Sequence, residues 1–189
     1  MRVSKGTGTP KTVRAFFAIW PNDTAQKELA WLAKRLRFES LCDGRETKAE
    51  NLHLTLAFLG EVNTSEVPAL CRVADGIKNS ETRAFDLVVD EIHYWKHNNI
   101  LCASIGKAPR ELLGLVTALQ EGLSAAGFSL ESRAYRPHIT LMRNAWCKTL
   151  PELTEPIAWR VLEWVLVKSE QASDGPVYVP IGRWFLGTP

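Results

Sequence analysis

The feature that most constrains this chain is a pattern written twice. "NLHLTLAFLG" and "RPHITLMRNA" each carry His, an apolar residue, Thr and Leu, at His53–Leu56 and again at His138–Leu141. The chain has only four histidines, so two of them serve one pattern. The copies are offset by 85 residues, and the same offset lays "RAFFAI" at 14–19 over "NILCAS" at 99–104. Strand, helix, loop and His-x-Thr strand therefore recur in the same order. The simplest physical source is an internal duplication of a strand–helix–strand unit, each sheet covered by helices on one face. Two such units facing one another would bring the polar faces of their histidine strands together.

Local patterning fills in the units. "VRAFFAIW" has the β-branched and aromatic content of a strand and ends at Pro21-Asn22-Asp23. A helix is expected next, capped by Asn22 or Asp23, with Leu29, Leu32, Ala33 and Leu36 on its apolar stripe. "CDGRETKAEN" reads as a polar loop. In the strand that follows, alternation puts His53, Thr55 and Ala57 on one face and Leu52, Leu54, Leu56 and Phe58 on the other. Residues 65–78 pattern as a helix through Val67, Leu70, Val73, Ala74 and Ile77. "FDLVVDEIHYW" and "NNILCASIG" follow as strands, then a helix with Leu112, Leu113, Val116, Leu119 and Leu123 that stops near Gly127. The closing "AWRVLEWVLVKSE" and "PVYVPIGRWFL" are expected to add an antiparallel pair to a sheet. The tryptophans, several of them in these strands, read as core or lobe-packing residues.

Two facing histidines are the equipment for general acid and base catalysis. Neutral imidazole takes a proton from water near neutral pH, and imidazolium gives one to a departing alkoxide. Phosphodiester hydrolysis needs both acts. Thr55 and Thr140 share their histidines' faces and can hydrogen-bond phosphoryl oxygens, but neutral hydroxyls supply little charge stabilisation. That role falls to arginine, with Arg143, Arg133 and Arg136 as candidates near the second motif. In an ideal strand Arg143 points away from His138 and Thr140, unless a bend at the strand end redirects it. Tyr135 can pack under a base or anchor its loop.

Composition narrows the competing classes. With 23 basic and 21 acidic residues, scattered without long blocks, blanket electrostatic binding to duplex nucleic acid is not indicated. Cys42, Cys71, Cys102 and Cys147 form no Cys-x-x-Cys pair, and four reduced thiols are expected. The apolar run "AFFAIW" is too short for a signal segment and no stretch is long enough to span a membrane. The expectation is a cytoplasmic protein with a flexible N-terminal tail over 1–12 and a single unit over 13–189. His93 and His97 lie in a strand running into a loop, where a four-residue interval does not align metal ligands. Ser104 and Cys102 read as buried strand residues without an activating histidine, and Gly60, Gly106 and Gly182 form no phosphate-binding glycine loop.

"ENLHLTLAFLGEV" and "RAYRPHITLMR", with "RAFFAIWP" before them and "VYVPIGRWFL" after, closely resemble the RNA 2′,3′-cyclic phosphodiesterases of bacteria and archaea. These were formerly called 2′-5′ RNA ligases and belong to the two-histidine phosphoesterase superfamily; the resemblance runs from Val13 onward. It implies a bilobal α+β fold, with two antiparallel sheets and outer helices related by a pseudo-twofold axis around a central cleft. It implies hydrolysis of terminal RNA 2′,3′-cyclic phosphates to 2′-phosphomonoesters without a metal or other cofactor. His138 would be the proton acceptor, His53 the proton donor, and Thr55 and Thr140 phosphate ligands. Arg133 and Arg143 match positively charged positions that flank the second motif, while Ala57 stands where relatives often carry a longer polar residue. RNA ends are the implied partner, with no membrane and no obligate protein partner indicated. Two alternatives stay open: cleavage or ATP-independent joining of 2′-5′ linkages, and a non-catalytic module that binds RNA ends.

Overall fold

The computed structural model describes residues 11–39, 41–78, 83–131, 133–153 and 155–187. Most of the expected N-terminal tail therefore lies outside the described residues. Its last position does not behave as tail, because Thr12 already pairs with Asn63 and the Lys11 carbonyl accepts a hydrogen bond from Thr64 N–H at 2.8 Å.

The first half of the chain builds β1 (Thr12–Ile19), α1 (Asp23–Phe38), β2 (Cys42–Glu46), β3 (Leu54–Asn63) and α2 (Val67–Lys78). Asn22 caps α1 by accepting from Ala25 N–H at 2.9 Å, and Leu29, Leu32, Ala33 and Leu36 form the buried stripe. A capping box between Asn63 and Glu66 opens a 3₁₀ turn that leads into α2. The second half supplies β4 (Phe85–Val89), β5 (Glu91–Trp95), β6 (Ile100–Ser104), α3 (Arg110–Ala125) and β7 (His138–Cys147). The chain closes with β8 (Ile157–Val161), β9 (Glu163–Ala172) and β10 (Gly175–Phe185).

Eight strands form one sheet in the order β10-β9-β1-β3-β7-β6-β5, with β2 also on β7, while β4 and β8 make a separate two-stranded ladder. The fold is thus α+β with two sheets. Each histidine strand is antiparallel to the strand that the offset predicts, β3 to β1 and β7 to β6. The two halves of the large sheet meet at one residue pair, Leu54 opposite Ile139. Those two residues directly follow the two histidines and are themselves equivalent under the offset.

β1 shows why this sheet sorts its faces as it does. Ala15, Phe17 and Ile19 enter the main core under the helices, while Phe16 and Ala18 join a smaller cluster on the opposite face with Val165 and Val167. A strand covered on both faces has to be apolar without alternation, as "AFFAI" is.

Several expectations change. "CDGRETKAEN" is not all loop: its first five residues are β2, an edge strand whose backbone pairs with β7 and whose side chains carry no apolar alternation. "FDLVVDEIHYW" breaks at Asp90, whose carboxylate accepts from Gly106 N–H at 2.7 Å, so β4 and β5 part into different sheets. The first closing segment breaks similarly at Leu162, sending β8 to β4; β9 and β10 form the expected antiparallel pair. On α3, Leu115 is buried and Leu113 is 44% exposed, because the stripe runs through 112, 115, 116, 119 and 123. The cysteines are not all reduced. Cys42 and Cys147 stand opposite one another in the β2–β7 ladder and form a disulfide, leaving Cys71 and the buried Cys102 free.

Candidate active site

The two histidines are held by one device used twice. Asn51 and Arg136, each two residues before a histidine, turn their carbonyls to the imidazole, and Nδ1 lies 2.7 Å from the oxygen in both cases. A carbonyl only accepts, so Nδ1 carries the proton and Nε2 is left with its lone pair in the neutral ring.

The surroundings of the two rings differ. His53 has Phe16, Trp20 and Tyr178 around it, with ring centroids at 4.9, 4.9 and 5.1 Å. His138 meets the edge of Trp95 at 4.5 Å. Burial among these rings lowers the His53 pKa to about 4, helped by the charges of Arg143 and His138 and opposed by the Asn51 carbonyl. His138 is lowered as well, first by burial and then by Arg143 and Arg133. Both imidazoles are therefore neutral near pH 7 in the free protein.

Matching bulges then turn the strands. In the β1–β3 register Leu56 is skipped between Thr55 and Ala57, and in the β6–β7 register Leu141 is skipped between Thr140 and Met142. Leu56, Ala57, Leu141 and Met142 are all buried in consequence. The residues after them emerge on the histidine face. In β7 that residue is Arg143, which shares cavities with His53 and Thr140. In β3 it is Phe58, with the Arg14 guanidinium 4.9 Å over its ring. The assignment of Ala57 to the histidine face and Phe58 to the core is thus reversed, and Ala57 is a core residue.

The loop before β7 contributes in three ways. Tyr135 hydroxyl donates to the Thr55 carbonyl at 3.1 Å, tying the second motif's loop to the first motif's strand, and burial raises its pKa. Arg133 is exposed and engaged with Glu131 at 2.7 Å. Arg136 is exposed too, and its carbonyl orients His138. Two cavities meet at His53, Thr140 and Arg143. The larger, about 480 Å³, also has Thr55, Phe58, Trp95, Arg133, Tyr135, Arg136 and His138 on its walls. The smaller, about 240 Å³, extends past His53 toward Arg45, Lys48 and Tyr178.

All eight candidate side chains therefore line this cleft. What sequence reading missed are the rings of Phe16, Trp20, Trp95 and Tyr178 and the cations of the smaller cavity. Trp20 and Trp95 had been assigned to packing; the signal that finds them is the strand-terminal position of each, where a ring can reach the cleft. His93 pairs with Glu91 at 2.7 Å, and His97 stacks on Trp95 at 6.4 Å at the rim of the larger cavity. Among the described residues no three His, Cys, Asp or Glu side chains gather as metal ligands, and no helix is long and apolar enough to cross a membrane. Cys102 and Ser104 lie buried side by side, with the Cys102 thiol pushed up to about 11 by burial.

Comparison with known proteins identifies the arrangement. The family model described as LigT like Phosphoesterase matches residues 19–102 and 105–178, one segment for each histidine motif. The chain is a LigT-like phosphoesterase. The RNA 2′,3′-cyclic phosphodiesterase of Escherichia coli K12 is 33% identical over 175 residues, 92% of this chain and 96% of that one. The corresponding protein of Thermotoga maritima is 28% identical over 179 residues, 88% of this chain and 91% of its own. Crystal structures of E. coli LigT, in the apo form and complexed with 3′-AMP, each superpose with a TM-score of 0.81 at 32% identity and cover 93% of this chain. They are themselves covered to 98% and 99%. This LigT-like protein therefore belongs to the RNA 2′,3′-cyclic phosphodiesterase family and shares its general hydrolase character and fold.

Proposed function

We propose that this protein hydrolyses RNA 2′,3′-cyclic phosphate ends to 2′-phosphomonoesters by histidine acid and base catalysis. The observation that carries the reading is the doubled device at the cleft: two imidazoles, each with Nδ1–H spent on a carbonyl and Nε2 available, beside the guanidinium of Arg143. His138 Nε2 accepts a proton from water as its oxygen attacks phosphorus. The bond from phosphorus to the ribose 3′ oxygen breaks, and that oxygen takes from His53 Nε2 the proton that this ring gains from solvent as the phosphodiester anion binds. Arg143, Thr55 and Thr140 hold the non-bridging oxygens and the charge they carry. No metal or other cofactor enters this scheme. The neutral state of His53 in the free protein is compatible with its role, because an arriving phosphodiester anion opposes the Arg143 charge and raises the imidazole pKa.

On this reading residues 13–189 act as one bilobal unit, its two copies related by a pseudo-twofold axis near the Leu54–Ile139 pair and the cleft lying between them. The antiparallel pairing of equivalent residues supports that symmetry. The E. coli LigT complex with 3′-AMP supports a nucleotide ligand in the cleft. We place the reaction in the cytoplasm, on RNA ends.

A 2′-5′ linkage is the second reading, and the size of the larger cavity favours it. This cavity, about 480 Å³ with both histidines on its walls, is many times the roughly 30 Å³ of one water, so a nucleoside alcohol can stand beside His138 where water attacks. Cleavage or ATP-independent joining would use the same two proton transfers.

The deciding experiment incubates the protein, with excess chelator, with a defined RNA ending in a 2′,3′-cyclic phosphate and identifies the product isomer. A 2′-phosphate is expected, and His53→Ala and His138→Ala should each lower kcat by about 10²–10⁴-fold while the fold is retained. A predominant 3′-phosphate overturns the assignment of His53 as donor to the 3′ oxygen. Tight binding without turnover favours a binding module.

A further inference from the structure

The smaller cavity has chemistry that the reaction at phosphorus does not use. Its walls carry three cations, Lys48, Arg45 and Arg143, and two carboxylates, Glu46 and Asp174, of which Glu46 pairs with Arg37 at 3.2 Å. Lys48 is paired with Asp174 across the cavity. Among the described residues neither Arg45 nor Arg143 has a carboxylate within ion-pair distance, and these two share one cavity. Arg45 stands directly opposite Arg143 in the β2–β7 ladder. Like charges set opposite one another on a sheet repel, so an unneutralised pair at a cavity is a standing demand for an anion.

The local backbone is built to keep Arg45 there. The ladder is irregular between Asp43 and Arg45, where Gly44 alone, at φ +152°, spans Asn144 and Ala145 of β7. A Cβ on Gly44 would stand 2.9 Å from the Ala145 Cα, so only glycine permits this close approach of β2 to β7.

The direction of the reaction says which anion. In-line displacement puts the attacking and leaving oxygens on opposite sides of phosphorus. With His138 on the water side, the 3′ oxygen, its ribose and the RNA body behind it lie on the side of His53. The smaller cavity is the space past His53, and His138 and Trp95 are not on its walls.

We infer that Arg45 forms a second anion subsite, which takes the phosphodiester immediately 5′ to the reacting nucleotide while Arg143 serves the reacting phosphate. This rests on the proposed reaction and its assignment of His53 as the donor. It makes the protein a reader of chain ends: an RNA terminus presents the second anion, and a nucleoside cyclic phosphate does not.

Two stable ligands test it: adenosine 2′-phosphate, and adenosine 2′,5′-bisphosphate, whose 5′ group stands in for the preceding phosphodiester. Calorimetric titration of the wild type should show the bisphosphate binding about tenfold more tightly. Arg45→Gln should reduce that advantage below about twofold and leave adenosine 2′-phosphate affinity within about twofold of wild type. The inference is overturned by an advantage that survives the substitution, by no advantage in the wild type, or by equal loss for both ligands. Because neither ligand turns over, the result is independent of hydrolysis. An Arg45-dependent advantage in a protein that leaves cyclic phosphates intact would sink the proposed reaction and keep the subsite; normal hydrolysis without the advantage would do the reverse.

Discussion

At the scale of single residues, both histidines are neutral near pH 7 in the free protein, whereas the proposed reaction asks opposite protonation states of them, and this sets a pH dependence. On that proposal the productive free enzyme needs His53 protonated and His138 neutral. His53 is lowered to about 4 and His138 also lies below its ordinary 6.5, so the double requirement is best met between the two values, on the acid side of 6.5. Raising the pH beyond that window removes the proton from His53 and leaves the leaving oxygen without a donor. The kcat/KM profile for a cyclic-phosphate RNA end should therefore fall by about tenfold per pH unit above 6.5. In kcat the alkaline limb should move to higher pH, since bound phosphate raises the His53 pKa. A kcat/KM that stays level up to pH 8 would remove His53 from the donor role. The residues of this pair were legible in the sequence, because a duplicated polar pattern on an otherwise apolar strand survives without any knowledge of the fold. Their rings were not. Phe16 looks like any core residue of "AFFAI", and only the sheet, covered on both faces, reveals that it turns toward His53.

At the scale of elements, bulges decide which side chains reach the cleft. Strict alternation would send Arg143 away from the catalytic face and bring Ala57 onto it. The extra residue directly after each threonine, Leu141 and Leu56, reverses both outcomes. A bulge changes pairing without changing composition, so the alternation rule continues past it unaware; here it left Arg143 as one option among three. β2 was hidden for a related reason. Its pairing is carried by backbone groups at a sheet edge, and "CDGRE" offers neither β-branched residues nor alternation. That strand yields a prediction centred on Gly44. Alanine there meets both a left-handed φ and a 2.9 Å approach to the Ala145 Cα, and the neighbouring atom is backbone, with no flexible end to move aside. Gly44→Ala should cost about 1–3 kcal/mol in urea unfolding, without a change in the slope of the transition. A variant as stable as the wild type would mean that β2 does not lie against β7 as described.

At the scale of the whole molecule, the question is what holds the two histidine strands together. Strands β3 and β7 pair at Leu54 opposite Ile139, and the Tyr135 hydroxyl adds a hydrogen bond to Thr55 across the same seam. The larger tie is β2. It precedes the first motif in the chain yet pairs with β7, which carries the second, so a segment from before the first motif is bound to the strand of the second. The repeated motif could be read from the sequence; this crossing could not, since Cys42 and Cys147 are 105 residues apart with nothing local to join them. In the fold they face one another and close that long loop covalently. A loop of this length, once closed, restricts the unfolded chain strongly, and the bond should contribute about 2–4 kcal/mol. Protein unfolded without reductant should then expose two reactive thiols, from Cys71 and Cys102, and reduction should bring the count to four. Reductant should also lower the wild-type urea midpoint and leave the Cys42→Ser, Cys147→Ser double variant unmoved. Four thiols in the unreduced unfolded protein would rule out the bond, and a wild-type midpoint indifferent to reductant would show that β2 is held by its pairing with β7 alone.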